Sequence, residues 1–160
     1  GRDYVSLMPT NLYGPNDNFD LKSSHVLPAM IRKFHEAKVN GNAPVELWGT
    51  GSPMREFLHV DDLGQSVLFA LENKLEEHLY NVGTGVDLTI KELAELIQST
   101  VGHQCEVVWD SNKPDGTPRK LMDISKMKKQ GWTSKITLSE GVKSTYSWFL
   151  ESNSFREVKL

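Results

Sequence analysis

No run in this 160-residue chain approaches the roughly 20 apolar residues that a membrane-spanning helix needs. It holds one cysteine, Cys105, which rules out an internal disulfide framework and a cysteine-based zinc site. Long basic blocks are missing and the net charge is −3, so a nucleic-acid or membrane-surface role has no electrostatic support. There is no Gly-x-Gly-x-x-Gly, no P-loop and no His-Glu-x-x-His. Internal repeats and low-complexity segments are absent too. No signal-peptide pattern opens the chain, so a soluble, reducing, cytoplasmic setting is the expectation. Nor is there an initiating methionine. "GRDYVSLMP" enters a strand pattern almost at once, as expected of a piece of a longer protein.

What is present suffices for one ordinary domain, with 38% apolar residues to build a core. Residues 4–9 read as a short buried strand and 10–24 as a polar loop. "SHVLPAMIRKFHEAK" reads as a helix with Ser24 as N-cap and with Val26, Met30, Phe34 and Ala37 on its inner face. Asn40-Gly41-Asn42 stops it. "VELW" (45–48), "EFLHV" (56–60), "HLYNV" (78–82) and "CEVVW" (105–109) are strand candidates. Asp61-Asp62 suit the positive start of a helix over about 62–73. Thr89 to Glu92 and Thr137 to Glu140 are capping boxes opening two more helices, the last fraying after about Leu150. A short helix is expected near 124–130. Strands alternating with helices make an α/β or mixed domain.

Polar loops after strands in open α/β sheets are where ligands bind, and "MPTNLYGPNDNF" is such a loop. Asn11 can offer donor and acceptor to an amide or phosphate, or can simply make the turn. Gly83-Thr84-Gly85 reads as a strand-to-helix turn. His25 stands at a helix start, where the dipole disfavours the imidazolium, and a neutral imidazole is a useful acid or base. The alternative is a plain cap or surface histidine. Trp48 and Arg55 flank a glycine-rich turn: an indole can pack on a base or sugar, and a guanidinium can clamp phosphate. Alternatively Trp48 fills the core and Arg55 pairs with Asp61 or Asp62. In "KPDGTPRK" (113–120), Asp115 could take hydroxyls and Lys113, Arg119 and Lys120 phosphates, or the stretch is a solvated turn. His35, His78 and His103 read as solvated, and His59 as packed. No metal site is expected.

Taken together, "PTNLYGPNDNF", "SHVLPAMIRKFHEA", "WGTGSPMREFLHVDDL", "YNVGTG", "KPDGTPRK" and "TYSWFLE" resemble the carboxyl-terminal half of the GDP-L-fucose synthase family. These GDP-4-keto-6-deoxy-D-mannose 3,5-epimerase-4-reductases belong to the extended short-chain dehydrogenase/reductases. The resemblance covers nearly the whole chain in order. "REFLHVDDL" alone would indicate only the wider nucleotide-sugar epimerase and dehydratase group.

The resemblance implies an α/β fold: the substrate-binding (C-terminal) region of an extended short-chain dehydrogenase/reductase plus late strands of its Rossmann sheet. Residues 1–12, 56–62 and 78–84 would be the late Rossmann elements, and 13–55 and 85–160 the GDP-sugar-binding domain. It also implies NADPH as cofactor, its nicotinamide end lined by Pro9, Thr10, Asn11, Leu12 and His25. His25 would be the acid of the epimerisations. Lys33, Trp48, Arg55 and Asp115 would hold the GDP-sugar. Many family members carry Arg where Lys33 stands; Lys keeps the charge without the bidentate fork. The family's glycine-rich phosphate loop, catalytic Ser, Tyr-x-x-x-Lys pair and the cysteine partnering its histidine have no counterpart here, and Cys105 does not match that cysteine. The implied protein converts GDP-4-keto-6-deoxy-D-mannose to GDP-L-fucose as a homodimer, while this chain alone is expected to be inactive. The rival readings are another nucleotide-sugar epimerase or dehydratase, and a non-catalytic GDP-sugar-binding fragment.

Overall fold

Pro9 has no amide hydrogen to give a sheet, and the first strand ends on it. A computed structural model describes residues 4–41 and 43–152. In it β1 (Ser6–Pro9) is followed after a single residue, Thr10, by β2 (Asn11–Tyr13). Then come α1 (Val26–Val39), β3 (Val45–Trp48), β4 (Met54–His59), α2 (Val60–Glu72), β5 (Leu79–Val82) and β6 (Asp87–Thr89). The chain ends through α3 (Ile90–Val101), β7 (Val107–Asp110), β8 (Arg119–Lys120), α4 (Ser125–Lys129) and α5 (Leu138–Glu151).

The strands form three separate sheets among the described residues. β1 pairs with β5 in parallel, and β3 with β7 in parallel. The middle sheet runs β2–β4–β6, with β8 also on β4. The chain therefore changes sheets at Thr10, whose amide still donates to Val82 of the first sheet at 3.0 Å.

β4 lies between two cores because successive side chains of a strand point to opposite faces. Phe57 joins the larger cluster with Tyr13, Phe34, Leu93, Ile97 and Phe149. Leu58 joins the smaller one with Tyr80, Val82, Met127 and Trp132. Arg55 shares a face with Phe57, and Glu56 shares one with Leu58. This alternation decides which residues meet the site.

Both capping boxes form. Thr89 Oγ1 accepts from the Glu92 amide at 3.1 Å and Thr137 Oγ1 from the Glu140 amide at 3.3 Å. α3 then closes on Gly102, left-handed at φ 69°. α5 packs its Gly141 so tightly on the Tyr13 hydroxyl that no Cβ fits there.

Several expectations are corrected. Ser24 is not the cap of α1: His25 occupies that position, neither caps through its side chain, and the Ser24 hydroxyl is buried without a partner. With the helix starting at Val26, its phase shifts; Val26 is exposed, while Leu27, Met30, Ile31, Phe34 and Ala37 face inward. β1 is only half-buried, because it has one neighbour and leaves Met8 51% exposed. The polar loop contains β2, and β6 and β8 are also additions. His35 is not solvated: its Nδ1 lies 3.0 Å from the Tyr146 hydroxyl, and His103 buries its Nε2. His59 is packed as expected. Asn42, residues 1–3 of the expected 1–12 Rossmann segment and the tail beyond 152 lie outside the described residues.

Candidate functional site

The switch between sheets leaves Thr10, Asn11 and Leu12 as the floor of a half-open cavity of about 510 Å³. Asn11 Nδ2 donates to the Glu56 carbonyl at 2.7 Å and Thr10 Oγ1 to the same oxygen at 3.4 Å. The Asn11 side-chain carbonyl is thereby kept as an acceptor for something else.

Glu56 holds this floor, and sequence reasoning missed it. It is fully buried, and its carboxylate gathers three donors from two loops. Oε1 accepts from the Gly85 amide at 2.7 Å and the Thr84 hydroxyl at 3.3 Å, and Oε2 from the Met122 amide at 3.1 Å. The carboxylate presses against Gly83, where any Cβ would collide with it. The Gly83-Thr84-Gly85 turn is thus shaped around a buried acid. The available signal was an acidic residue inside an apolar strand.

The walls carry the charges. His25, at the exposed start of α1, lines one side. Asp17 lies in the same lining. Its Oδ1 accepts from the Asn18 amide at 2.7 Å, while its Oδ2 is buried and has no partner. Burial pushes the Asp17 carboxyl up from the ordinary carboxylate range, against the opposing pull of the Asn18 amide and the His25 ring. Arg55 closes the opposite wall, and its Nη1 donates to the Met54 carbonyl at 2.7 Å. It pairs with neither Asp61 nor Asp62: Asp62 is buried and accepts from the Lys135 and Ile136 amides at 3.0 and 2.9 Å. Behind the cavity, the Tyr13 ring stands edge-on to His59 at 5.4 Å, and burial raises the Tyr13 hydroxyl strongly.

A second patch lies at the ends of β3 and β7. Alternation sends Val45 and Leu47 inward and Trp48 outward, where it is 66% exposed. The core-filling alternative for Trp48 is therefore wrong. Lys113 sits over the indole at 5.3 Å. Asp115 is engaged with Thr50, accepting from its amide at 2.6 Å and its hydroxyl at 2.8 Å. Gly49 takes φ 79° and leaves room for that carboxylate. Lys33 Nζ donates to the Glu46 carbonyl at 2.7 Å. Arg119 is held bidentately by Asp87 at 2.6 and 3.1 Å, so its fork faces that carboxylate.

Of the residues singled out in sequence, Thr10, Asn11, Leu12, His25 and Arg55 meet in one cavity. Pro9, Lys33, Trp48 and Asp115 do not line it. Arg55 links the two patches, since Gly116 of the 110–120 loop lies against its guanidinium.

Comparison with known proteins adds three findings. The model of the NAD dependent epimerase/dehydratase family matches residues 1–83. Among curated relatives, "Probable GDP-L-fucose synthase 1" of Oryza sativa subsp. japonica is 58% identical over 152 residues, covering 95% of this chain and 46% of its own. "GDP-L-fucose synthase" of Escherichia coli (strain K12) is 52% identical, covering 95% and 50%. A solved GDP-L-fucose synthetase from Naegleria fowleri bound to NADP superposes with a TM-score of 0.87 at 30% identity, covering 93% of this chain and 47% of that one. The chain thus spans about half the length of the curated relatives it matches. The fold is α/β, of the extended short-chain dehydrogenase/reductase kind.

Proposed function

The chain belongs to the NAD dependent epimerase/dehydratase family, and from that premise we propose that it is the carboxyl-terminal part of an NADPH-dependent GDP-L-fucose synthase. The whole protein would invert C3 and C5 of GDP-4-keto-6-deoxy-D-mannose and then reduce C4. The observation that carries this reading is the single cavity shared by Thr10, Asn11, Leu12, His25 and Arg55.

The 4-keto group acidifies the hydrogens at C3 and C5, so each centre inverts through an enolate. His25, exposed at the cavity wall, is the acid that returns a proton to carbon. Asn11, fixed by Glu56, presents its side-chain carbonyl to the nicotinamide end of the cofactor, beside Pro9, Thr10 and Leu12. When bound, NADPH supplies the hydride for C4. Arg55 binds the diphosphate, and the exposed Trp48 face packs on the nucleoside. Lys33 and Asp115 complete the GDP-sugar contacts once ligand competes for Glu46 and Thr50.

We read residues 1–12, 56–62 and 78–84 as late Rossmann elements, and 13–55 and 85–160 as the GDP-sugar-binding domain. An apolar surface supports a further half docking beside β1 and β5: Tyr4, Leu71 and Leu79 are each more than half exposed there. No helix among the described residues is long and apolar enough to cross a membrane. A cytoplasmic homodimer is the setting we propose for the whole enzyme. Within these 160 residues there is no Tyr-x-x-x-Lys and no phosphate loop, so the chain alone should turn over nothing.

The test uses the whole enzyme with His25→Asn. Inversion should slow ~10²–10⁴-fold while hydride transfer continues, so a 6-deoxy-D-mannose-type product accumulates. Product analysis by NMR after incubation with NADPH reads this directly. GDP-L-fucose formed at the wild-type rate would refute the assignment of His25, and turnover of UDP-4-keto sugars in preference to GDP-4-keto sugars would refute the substrate.

A further inference from the structure

Asp17 enters none of the roles given so far, yet it lines the cavity that His25 and Arg55 share. Among the described residues of that lining it is the single carboxylate. One of its oxygens is satisfied by the Asn18 amide; the other is buried with no partner. A buried, unpaired carboxylate oxygen is costly, and such atoms persist in native proteins where function needs them. Asp17 and His25 line the same cavity, and the His25 ring opposes the burial that raises the Asp17 carboxyl, less than the Asn18 amide does.

His25 needs such a neighbour. To act as an acid it must carry a proton, and that positive charge then stands at the positive end of α1. α1 has no acidic residue in its first turn to offset this. Arg55 adds a second positive charge to the same cavity. Asp17 is the group that can balance both. We propose that Asp17 is a positioning residue for His25, orienting the protonated imidazole and holding it ready inside the cavity. The inference rests on the reading of His25 as the epimerisation acid.

In that step the enolate's electron pair forms the new C–H bond with the imidazolium proton. The N–H bond breaks, its electrons stay on the ring nitrogen, and the C4 carbonyl is restored. The proton removed from the sugar beforehand goes to a base on the opposite face of the ring. Asp17 itself takes no proton, and solvent reprotonates the imidazole beside it.

The experiment is deuterium exchange at C3 and C5 of GDP-4-keto-6-deoxy-D-mannose, followed by NMR in heavy water with the whole enzyme and NADP. Asp17→Asn keeps an oxygen for the Asn18 amide and loses only the charge. Exchange should slow at least ~10-fold, a part of what a positioned acid contributes, with KM for the sugar nucleotide unchanged and the thermal midpoint unchanged or raised. Asp17→Glu should recover part of the rate. The inference fails if Asp17→Asn exchanges at the wild-type rate. It also fails if the variant loses reduction of an already inverted 4-keto sugar to the same degree, or if Glu is no better than Asn. A wild-type enzyme that exchanges nothing would overturn the proposed function beneath it and this inference together.

Discussion

The floor and the rim of the cavity are made from opposite kinds of polar group. On the floor, every carboxylate oxygen of Glu56 has a donor, and even its backbone carbonyl takes two. On the rim, Asp17 buries an oxygen that bonds to nothing described, and so does Ser24, next to His25 in the same loop. A saturated group has no capacity left for a ligand; it fixes positions. An unsaturated one costs stability and keeps a hydrogen bond in reserve. Satisfied and unsatisfied polar groups are thus divided between β4 and the loop before α1.

Changes on the floor should cost the fold most. Glu56→Ala strands the half-buried Gly85 and Met122 amides, at up to roughly 1–3 kcal/mol for each unsatisfied donor. Chemical denaturation of the whole protein should register a loss of that order for each, a large part of an ordinary domain's stability. A variant with wild-type stability would break the contrast.

The two arginines sharpen it next. Arg55→Ala leaves phosphate charge unpaired in a desolvated site and should weaken GDP binding by about 2–5 kcal/mol. Arg119→Ala removes a fork already committed to Asp87 and should leave GDP affinity as it was. Calorimetric titration of both variants reads the difference, and equal losses would erase it.

Two helix starts give a smaller version of the same comparison. Thr137 completes a capping box, so Thr137→Ala should lower stability by about 1 kcal/mol. The Ser24 hydroxyl satisfies nothing, so Ser24→Ala should be neutral or stabilising in the same unfolding assay.

The smallest effect concerns pH. Burial, and then the Lys38 ammonium, hold the His35 imidazolium below its ordinary range, with Glu36 opposing. The folded protein therefore binds fewer protons at that ring than the unfolded chain does. Stability from this group is full above the ordinary histidine value of about 6.5 and is lost as pH falls below it toward the depressed folded value. The slope of the thermal midpoint over that interval should shrink in His35→Gln.

The longer helices were legible because their cues repeat: apolar spacing over three turns and two Thr-x-x-Glu boxes. β2, β6 and β8 were not, since two or three residues carry no period and each depends on β4 as its partner. Ser24 looked like a cap because residue type cannot locate the first helical turn to within one position. Much of the candidate site came from family likeness: five of the residues it named meet in the cavity, while Pro9, Lys33, Trp48 and Asp115 stand outside it. Glu56 and Asp17 escaped because burial is their distinguishing property, and "REF" and "NDN" do not reveal which carboxylate is enclosed.

One residue separates β1 from β2, and both ends of it are fastened. The Thr10 amide is tied to Val82 in one sheet, and its hydroxyl reaches Glu56 in the other. Successive Cα atoms stand about 3.8 Å apart and cannot stretch. The two sheets therefore cannot slide apart at this point, and any opening there must be a rotation with Thr10 close to its axis. Points near a pivot travel least. In any such rotation Asn11 and Leu12, next to the pivot, would hold nearly still while His25, at the start of α1, would sweep a longer arc, so the floor would serve as the fixed datum of the cleft.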